Sequence, residues 1–386
     1  MKLNPARSHE KLSHLSEEQI EELCLRYETG ETNKSLIKEY NIDIYVSGLN
    51  KLLPLKITKE KCIYCKKPLW AQRCKPNSYA NVAFCYECGH NNTRYCTCDN
   101  CTETKRLQQE KRVQNIFNLI KNRFGSGENK RSITELSDTE LIYLSCFVRS
   151  ADTESSYNNI SFHNSSFKLS PNRFFDNEII HFLIDASLIF MVSLPQHYNE
   201  IIKTDSDLDK LELFACHYSL NINDQQLNKD EIFKSFYYPK QNNVSEETLR
   251  KIWINIAKHE CLEYVITMVE DININYWFTV KHLEHIEEIL CNFSVSQFYC
   301  MYYSCLKSAT YNQIKNHWSN RETLHKSVVF ALNQAESAIN NGWEIRKYNR
   351  NTERSTFSDI FFNLFLKIDK SGFYECPTTY QITDQY

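Results

Sequence analysis

The densest concentration of reactive side chains lies between Cys62 and Cys101, where eight of the sixteen cysteines of the chain occur. They are Cys62, Cys65, Cys74, Cys85, Cys88, Cys96, Cys98 and Cys101. A Cys-x2-Cys pair puts two thiolates on one side of a tight turn, and two such pairs about 15–20 residues apart can close a tetrahedron on zinc. The pairs with this spacing are Cys62 with Cys65 and Cys85 with Cys88. The spacing therefore predicts one structural zinc site.

The last three cysteines of this stretch predict a second zinc site that lacks its fourth ligand. They are Cys96, Cys98 and Cys101. Cys74 and His90 are the two candidates. Cys74 lies midway between the pairs, near the tip of the predicted hairpin, and a strand rises about 3.3 Å per residue, so this tip is far from the turns. His90 follows the second pair by two residues, and we favour it. Spacing alone also permits a cross-braced arrangement that mixes the pairs.

Metal explains this cysteine density better than disulfides do. Residues 1–11 are polar and charged, without the apolar segment of a secretory signal. The longest apolar stretch, residues 179–192, is interrupted by His181 and Asp185 and is shorter than the ~20 residues that span a bilayer. We therefore predict a cytoplasmic protein without a membrane partner, whose thiols stay reduced and bind Zn²⁺. Sites closed by four protein ligands are structural rather than catalytic.

Charge is distributed unevenly along the chain. Residues 56–131 contain 16 Lys and Arg against 6 Asp and Glu, whereas residues 131–386 contain 23 against 33. A basic segment joined to an acidic one predicts that only the first meets a polyanion such as nucleic acid. Four thiolates on one zinc ion carry a formal charge of about −2, so part of the excess offsets the metal sites. The alternative is a solvated basic surface without a partner.

Three short helices are predicted before the cysteines, after a disordered leader over residues 1–15. Ser16 and Gln19 form a capping box that starts the first helix, and Gly30 ends it. A second helix is predicted over residues 33–40 and a third over residues 45–53, with Asn41 in a left-handed turn between them.

The segment "SEEQIEELCLRYETGETNKSLIKEYNI" resembles the helix-turn-helix of the resolvase and invertase recombinases, and the resemblance covers residues 16–54. Two departures are Asn41 in place of the usual turn glycine and Gly48 within the third helix. The resemblance implies DNA binding, with contacts to base edges or phosphates from Tyr45, Ser47, Asn50 and Lys51 and to the backbone from Lys34. The alternative is a small helical bundle that packs on the zinc module.

A basic helix is predicted after Cys101. Its apolar stripe includes Leu107, Val113 and Phe117, and its cations are candidates for phosphate contacts. The cations that we select are Lys105, Arg106, Lys111 and Arg112. The alternative is a connecting helix with a solvated face. The glycines of residues 125–127 predict its end and a hinge between domains.

The remainder of the chain, residues 131–386, is predicted to be a large all-α domain. Helical periodicity covers residues 177–192, 208–220, 245–269, 280–291, 294–309, 321–340 and 355–367. After residue 131 only Gly342 and Gly372 occur, which argues against the glycine-rich phosphate loops of dinucleotide-binding proteins and P-loop enzymes.

Catalytic motifs are not evident in this helical half. His282 and His285 lie one turn apart on a helix, which is more typical of a polar helix face than of a metal site. The loop of residues 342–355 is a stronger candidate for a binding site. It places Arg346 and Arg350 close to Trp343 in an otherwise acidic region. Arginine with aromatic side chains suits phosphate contact and base stacking, and it suits an intramolecular salt-bridged corner equally well.

Together these observations predict a mainly α protein of bacterial type with a helix-turn-helix (16–55), a zinc-ribbon-like module with short β strands (56–130) and an α-helical domain (131–386). We predict that it binds nucleic acid, DNA in the first instance, as a regulator, a mobile-element protein or a phage-defence component. The helical domain would act as the effector or contact a protein partner. Two alternatives stay open: a zinc-stabilised protein–protein adaptor, and a nuclease-like enzyme with catalytic residues dispersed in the helical domain.

Overall fold

The computed structural model describes residues 9–76, 78, 82–162, 168–195, 197–239, 244–274 and 278–382. The mainly α class is confirmed, with helices throughout and a few short strands. The chain forms two compact units, Met1–Asn115 and Ile116–Tyr386. Among the described residues, no helix combines the length and the apolarity needed to cross a bilayer.

The boundary between the units falls inside a helix rather than at a glycine-rich linker. Helix α4 runs unbroken over Asp99–Phe124. Its last turns bury Ile116, Ile120 and Phe124, spaced four residues apart, in the core of the second unit. This packing places the boundary upstream of the division predicted after residue 130.

The predicted hinge at residues 125–127 lies inside the second unit, where it packs against Phe190. Gly125 and Gly127 have φ angles of 86° and 69°, which side chains other than glycine adopt only with strain. A Cβ atom on Gly127 would lie 2.6 Å from the ring of Phe190. These glycines therefore permit a close approach of the backbone to an aromatic ring.

The first unit begins with three helices, α1 (Glu17–Glu28), α2 (Asn33–Glu39) and α3 (Leu49–Leu52). The predicted capping box is confirmed, since Ser16 accepts from Gln19 and the Gln19 side chain accepts from the Ser16 N–H. Asn41 has the predicted left-handed conformation, with φ 49°. The core of this part consists of Leu12, Leu23, Cys24, Tyr27, Leu36, Tyr40, Ile42, Leu49, Leu52 and Leu53.

The third helix is shorter than predicted. A 3-10 turn over Val46–Gly48 precedes the four residues of α3. Gly48 is required by close packing, since an added Cβ would lie 2.8 Å from the side chain of Ile44. The glycine therefore marks a tight contact at the point where the backbone changes from a 3-10 to an α-helical path.

The leader predicted to be disordered is partly ordered. Residues 1–8 lie outside the described residues, but Glu10–Leu12 forms a 3-10 turn and Leu12 is fully buried. His14 Nε2 lies 2.9 Å from the carbonyl oxygen of Tyr40. The prediction was wrong for residues 9–15 because Leu12 joins a core whose other members lie 11 to 41 residues further along the chain.

The zinc module follows as an antiparallel hairpin of β1 (Lys56–Lys61) and β2 (Pro68–Ala71). Trp70 of β2 pairs with Phe84 through two backbone hydrogen bonds of 2.8 Å, and Phe84 bridges to Asn91. This ladder brings the turn after β1 beside the turn that follows Phe84. Both turns carry predicted ligands.

The second unit is mainly helical, but it contains strands and so differs from the predicted all-α domain. Its helices after α4 are α5 (Asp138–Ser150), α6 (Arg173–Asp185), α7 (Tyr198–Ile201), α8 (Lys229–Tyr237), α9 (Glu246–Glu270), α10 (Val280–Leu290), α11 (Val295–Asn316), α12 (Asn320–Asn341), α13 (Thr356–Ile360) and α14 (Ser371–Tyr374). The described residues of this unit also form two small sheets: β3 (Arg131–Ser132) is parallel to β6 (Ile222–Asn223), and β4 (Ile189–Ser193) is antiparallel to β5 (His217–Leu220).

The helix predicted over residues 177–192 ends early. Ser187 adopts φ 57°, and its N–H and that of Leu188 bond back to the last turn of α6. The following residues, Ile189–Ser193, then pair with β5. Strand β5 itself lies within residues 208–220, for which the sequence also predicts a helix. Apolar residues in these short runs fit either period, and tertiary pairing decides between them.

Candidate metal centres

Two cysteine turns of the same geometry hold the first centre. In the first turn, Cys62 N–H donates to Lys67 O over 2.7 Å and Cys62 O accepts from Lys66. In the second, Cys85 O accepts from Gly89 over 2.8 Å. Lys66 and Gly89 each stand four residues after the first cysteine of their turn, and their φ angles are 61° and 68°. A residue in this left-handed conformation reverses the direction of the backbone, so both thiols of each turn lie on the same side of it.

The four sulfur atoms of these turns converge. Cys62 Sγ lies 3.5 Å from Cys88 Sγ, and Cys65 Sγ lies 3.2 Å from Cys85 Sγ and 4.0 Å from Cys88 Sγ. A tetrahedral zinc ion with Zn–S bonds of about 2.3 Å needs sulfur atoms about 3.8 Å apart. The cluster therefore fits zinc, and the four predicted ligands of the first site come together.

The second centre consists of His90, Cys96, Cys98 and Cys101, whose ligand atoms all lie within 4.8 Å of one another. His90 Nδ1 lies 3.2 Å from Cys101 Sγ, 3.5 Å from Cys96 Sγ and 3.8 Å from Cys98 Sγ. His90 thus takes the fourth position. Within the described part of the chain Cys74 belongs to neither group.

The imidazole of His90 is oriented for this role. His90 is buried, its ring meets the edge of Tyr64 with a centroid distance of 5.0 Å, and Nδ1 is the nitrogen that faces the sulfur atoms. Nε2 is buried and has no hydrogen-bond partner among the described residues. With Nδ1 as a ligand, Nε2 carries the ring proton, which is the neutral form that binds a metal.

The ionisation of the thiols also favours a bound cation. Burial opposes ionisation of Cys62, but backbone N–H groups of its own turn donate to the sulfur and lower the pKa of Cys62 to about 6. Burial and the adjacent thiols raise the pKa of Cys88 to about 12. The second cluster repeats this split, with the pKa of Cys96 lowered to about 6 and the pKa of Cys98 raised to about 11. Neighbouring thiols cannot all ionise together unless a cation compensates their charge, and zinc supplies that charge.

Within the part of the chain that the structure describes, two zinc sites are therefore the metal centres. We call the first the four-cysteine centre and the second, which contains His90, the histidine centre. All ligand positions come from the protein, so the sites are closed and structural. Zinc would hold the hairpin, the second turn and the start of α4 in one fixed arrangement.

The residues that the helix-turn-helix resemblance selected are mostly at the surface. Lys34, Ser47 and Lys51 are exposed, and Tyr45 is 88% exposed. Asn50 differs, because it is half-buried with its Oδ1 enclosed, and its carbonyl oxygen accepts a 3.0 Å bond from Gln72. The structure therefore leaves Asn50 poorly placed for a base contact.

The cations of α4 are divided between internal and exposed roles. Lys105 Nζ lies 3.3 Å from the carbonyl oxygen of Cys96 and 3.4 Å from that of Arg94. Arg106 forms ion pairs with Glu103 and Glu110 on its own helix. Lys111 is exposed, and Arg112 is half-buried. Of the four predicted phosphate contacts, Lys111 is the one best placed to meet a ligand.

Three further cations hold the zinc module against the helices of the first unit. Lys56 and Arg73 form ion pairs with Glu28 at 3.0 and 3.5 Å. Lys75 donates to the Glu31 carbonyl oxygen and lies over the ring of Tyr27. Part of the basic excess of residues 56–131 is therefore structural.

Arg346 and Arg350 have different environments, although both lie on the loop after α12. Arg346 is exposed. Arg350 donates to the buried carboxylate of Glu260 over 2.9 Å and lies over the ring of Phe373, with 4.4 Å from Cζ to the centroid. Because the Glu260 side chain is only 1% exposed, Arg350 forms a buried intramolecular ion pair. It is therefore engaged inside the protein and is not placed for the phosphate contact that was predicted for it.

The histidines of α10 have a partner that sequence spacing did not indicate. His282 Nδ1 accepts from the Thr279 N–H over 3.1 Å, so Nε2 carries the proton. This Nε2 lies 3.2 Å from Nδ1 of His325 on α12. The pair is a neutral hydrogen bond between helices and not a metal site.

Among the described residues of the zinc module, the most exposed aromatic side chain is one that the sequence analysis did not select. Tyr95, between ligands His90 and Cys96, is 79% exposed, and Arg94 lies over its ring at 5.9 Å. Lys59 and Lys61, also exposed, alternate along β1. An Arg-Tyr pair enclosed by metal ligands was the signal available in the sequence. Comparison of the chain with protein-family models, with curated proteins and with solved structures found no match.

Proposed function

We propose that the zinc-stabilised first unit binds nucleic acid, DNA in the first instance, in the cytoplasm. The observation that carries the proposal is a set of exposed cations on β1 and the turn that follows it. These are Lys59, Lys61, Lys66 and Lys67. Both turns that frame this surface are closed by the four-cysteine centre, so the cations have a fixed spacing.

Electrostatics support phosphate as the ligand of this surface. Lys56, Arg73 and Lys75 are occupied within the unit, but Arg94 and Lys111 add to the exposed set. Each phosphate that such a cation neutralises releases condensed counterions, which is the main source of affinity in non-specific nucleic-acid binding. Because the metal centre and the strand pairing hold the backbone that carries these lysines, binding would not have to order this part of the chain.

The helix-turn-helix contributes less in this proposal than the resemblance to recombinases implies. A helix of four residues such as α3 is about 6 Å long, which is short for reading several base edges in a major groove. Tyr45, Ser47 and Lys51 are exposed around α3 and its preceding 3-10 turn, and Lys34 is exposed on α2. They act in our proposal as supporting contacts beside the lysines of the zinc module.

The second unit serves as the effector or protein-contact part in this proposal. It has its own hydrophobic core, which contains Trp253, Phe298 and Tyr302 among its fully buried aromatic residues. In this proposal the chain is a regulator, a mobile-element protein or a phage-defence component, with the second unit joined to a nucleic-acid-binding part. Without nucleic-acid binding, the same architecture is a zinc-stabilised adaptor.

Salt-dependent binding of the full-length protein tests the proposal. Fluorescence anisotropy with a labelled DNA would be measured from 50 to 300 mM salt for wild type and for two triple Lys→Gln variants. The test variant replaces Lys59, Lys61 and Lys67, and the matched control replaces Lys281, Lys315 and Lys326, which are exposed in the second unit. Loss of three phosphate contacts flattens the slope of log K against log salt by about 2–3.

The control variant should bind as wild type does. Equal binding by both variants would show that the β1 surface is a solvated face. Absence of wild-type binding to DNA or RNA at the lowest salt concentration would favour the adaptor.

A further inference from the structure

An arginine and a tyrosine project from the loop that joins two ligands of the histidine centre. Arg94 and Tyr95 are both exposed, and 79% of the surface of Tyr95 is accessible. The Arg94 guanidinium lies 5.9 Å from the centroid of the Tyr95 ring, within the range of a cation–π contact. Neither side chain belongs to the metal centre or to the core, so packing and metal binding do not explain them.

The backbone that carries Arg94 and Tyr95 is held by hydrogen bonds within its own loop and to a ligand of the histidine centre. The Asn91 N–H donates to Cys96 Sγ over 3.3 Å, and the Cys96 N–H donates to Thr93 O over 3.2 Å. The Thr93 hydroxyl donates to Asn91 Oδ1 over 2.6 Å. With His90 and Cys96 as zinc ligands at its two ends, the loop is a short, internally bonded bridge.

A second set of contacts holds the loop from outside. Lys105 of α4 donates to the carbonyl oxygens of Arg94 and Cys96 over 3.4 and 3.3 Å. The Asn92 amide donates to Glu60 of β1 over 2.5 Å. The loop is thus tied to the neighbouring helix and strand, and its two exposed side chains are presented from a fixed base.

This arrangement suits a nucleobase better than it suits a phosphate alone. A tyrosine ring has few rotatable bonds and offers a flat face, so it stacks on a base at a small entropic cost once its backbone is fixed. An arginine beside it can pair with the adjoining phosphate and also lie against the base. Base pairs inside an intact duplex are stacked on both faces, so the ring requires an unpaired base.

We propose that Arg94 and Tyr95 form a stacking site for an unpaired nucleobase, and that the preferred target of this protein therefore contains single-stranded nucleic acid. This inference rests on the proposed function and adds the strand state of its ligand. Tyr95 supplies the stacking face and Arg94 binds the adjoining phosphate. The exposed lysines of β1 and its turn bind further phosphates irrespective of strand state.

The test compares three DNA probes with the full-length, zinc-loaded protein. They are a labelled single strand of about 20 mixed nucleotides, a strand of the same length made of abasic sites, and a blunt duplex of the same sequence. The wild type should bind the base-containing strand more tightly than the abasic one. Since stacking on one aromatic residue contributes about a 5- to 150-fold change in affinity, Tyr95→Ala should weaken binding to the base-containing strand by this factor.

The decisive comparison is whether Tyr95→Ala loses affinity for the base-containing strand alone. Tyr95→Ala should leave binding to the abasic strand and the duplex within about twofold of wild type, and Tyr95→Phe should retain tight binding because it keeps the ring. Tyr238→Ala is the matched control, since Tyr238 is 70% exposed in the second unit. Zinc content measured for each variant shows that the loop has kept its metal.

The outcomes separate this inference from the proposed function. If wild type binds DNA and Tyr95→Ala binds the base-containing strand equally well, the stacking site is wrong and the proposed function stands. Equal weakening on the abasic strand would also overturn it, because the ring would then act without a base. Failure of wild type to bind any of the three probes or the same strand in RNA would overturn both, and it would leave a protein partner as the ligand of the Arg94–Tyr95 pair.

Discussion

The choice of His90 over Cys74 as a zinc ligand leads to a quantitative prediction about metal content. Beyond its thiols, the zinc module has very little core, because the buried cluster contains Cys62, Leu69 and Cys85. Complete burial of one leucine side chain stabilises a protein by about 1.5–3 kcal/mol. Binding of a structural zinc ion to a small module supplies about 10–16 kcal/mol. Metal binding therefore dominates the stability of the module by several-fold.

We expect the wild type to contain two zinc ions per chain after purification under reducing conditions. Cys88→Ser removes a ligand of the four-cysteine centre, and His90→Ala removes a ligand of the histidine centre. Each should lower the content to one ion or fewer. The Cys85 N–H donates to the His90 carbonyl oxygen over 2.6 Å, so damage at one centre also affects the other. Cys74→Ser is the matched control and should retain both ions.

Elemental analysis of gel-filtered protein gives the stoichiometry, and thermal unfolding of the same samples reports on the second unit. That unit has a separate core, so its transition should change little in the zinc-site variants. Two observations would refute the reasoning: absence of zinc from freshly reduced wild type, or loss of an ion from Cys74→Ser while His90→Ala keeps two.

Two further predictions concern the second unit. Arg350→Ala should lower its free energy of unfolding by about 3–5 kcal/mol, because it leaves the buried carboxylate of Glu260 without its partner. Arg346→Ala, on the exposed part of the same loop, should change this quantity by less than about 0.5 kcal/mol, and similar effects in urea titrations would contradict the assignment. Burial, followed by the nearby His325 and His285, lowers the pKa of His282 to about 4. Since the unfolded value is about 6.5, the unfolded chain binds more protons between these limits, and stability should decrease by about 2–3 kcal/mol as the pH falls from 6.5 to 4. His282→Gln retains a capping-box residue and should reduce this dependence in urea titrations at pH 7 and pH 5; unchanged dependence would exclude His282 as its source.

The parts of this protein that follow from local chemistry were predictable from the sequence. The two cysteine pairs of the four-cysteine centre are each closed by a turn of a few residues, so their spacing favoured this ligand set, and the convergence of the four sulfur atoms then decided against a cross-braced arrangement. The capping box at Ser16 and the left-handed turn at Asn41 are equally local. The mainly α class followed from helical periodicity over long segments, for which the sequence signal is strongest.

Long-range packing decided the features that the sequence left open or assigned wrongly. Leu12 is ordered because a distant core covers it. Residues 189–193 form a strand because Ser187 ends α6 and β5 offers a partner. An apolar run of five residues carries no information about such a partner, so its periodicity alone could not distinguish a strand from the end of a helix.

The same distinction applies to the charged and metal-binding side chains. The sequence by itself determined that this chain carries two zinc-binding groups within a basic segment, because ligand type and short-range spacing suffice for that conclusion. Only the tertiary structure decided that His90 completes the second group, that Arg350 is buried on Glu260, and that Arg94 and Tyr95 are presented to solvent. Burial and the convergence of side chains from separate elements are properties of the packed chain, and no short-range pattern encodes them.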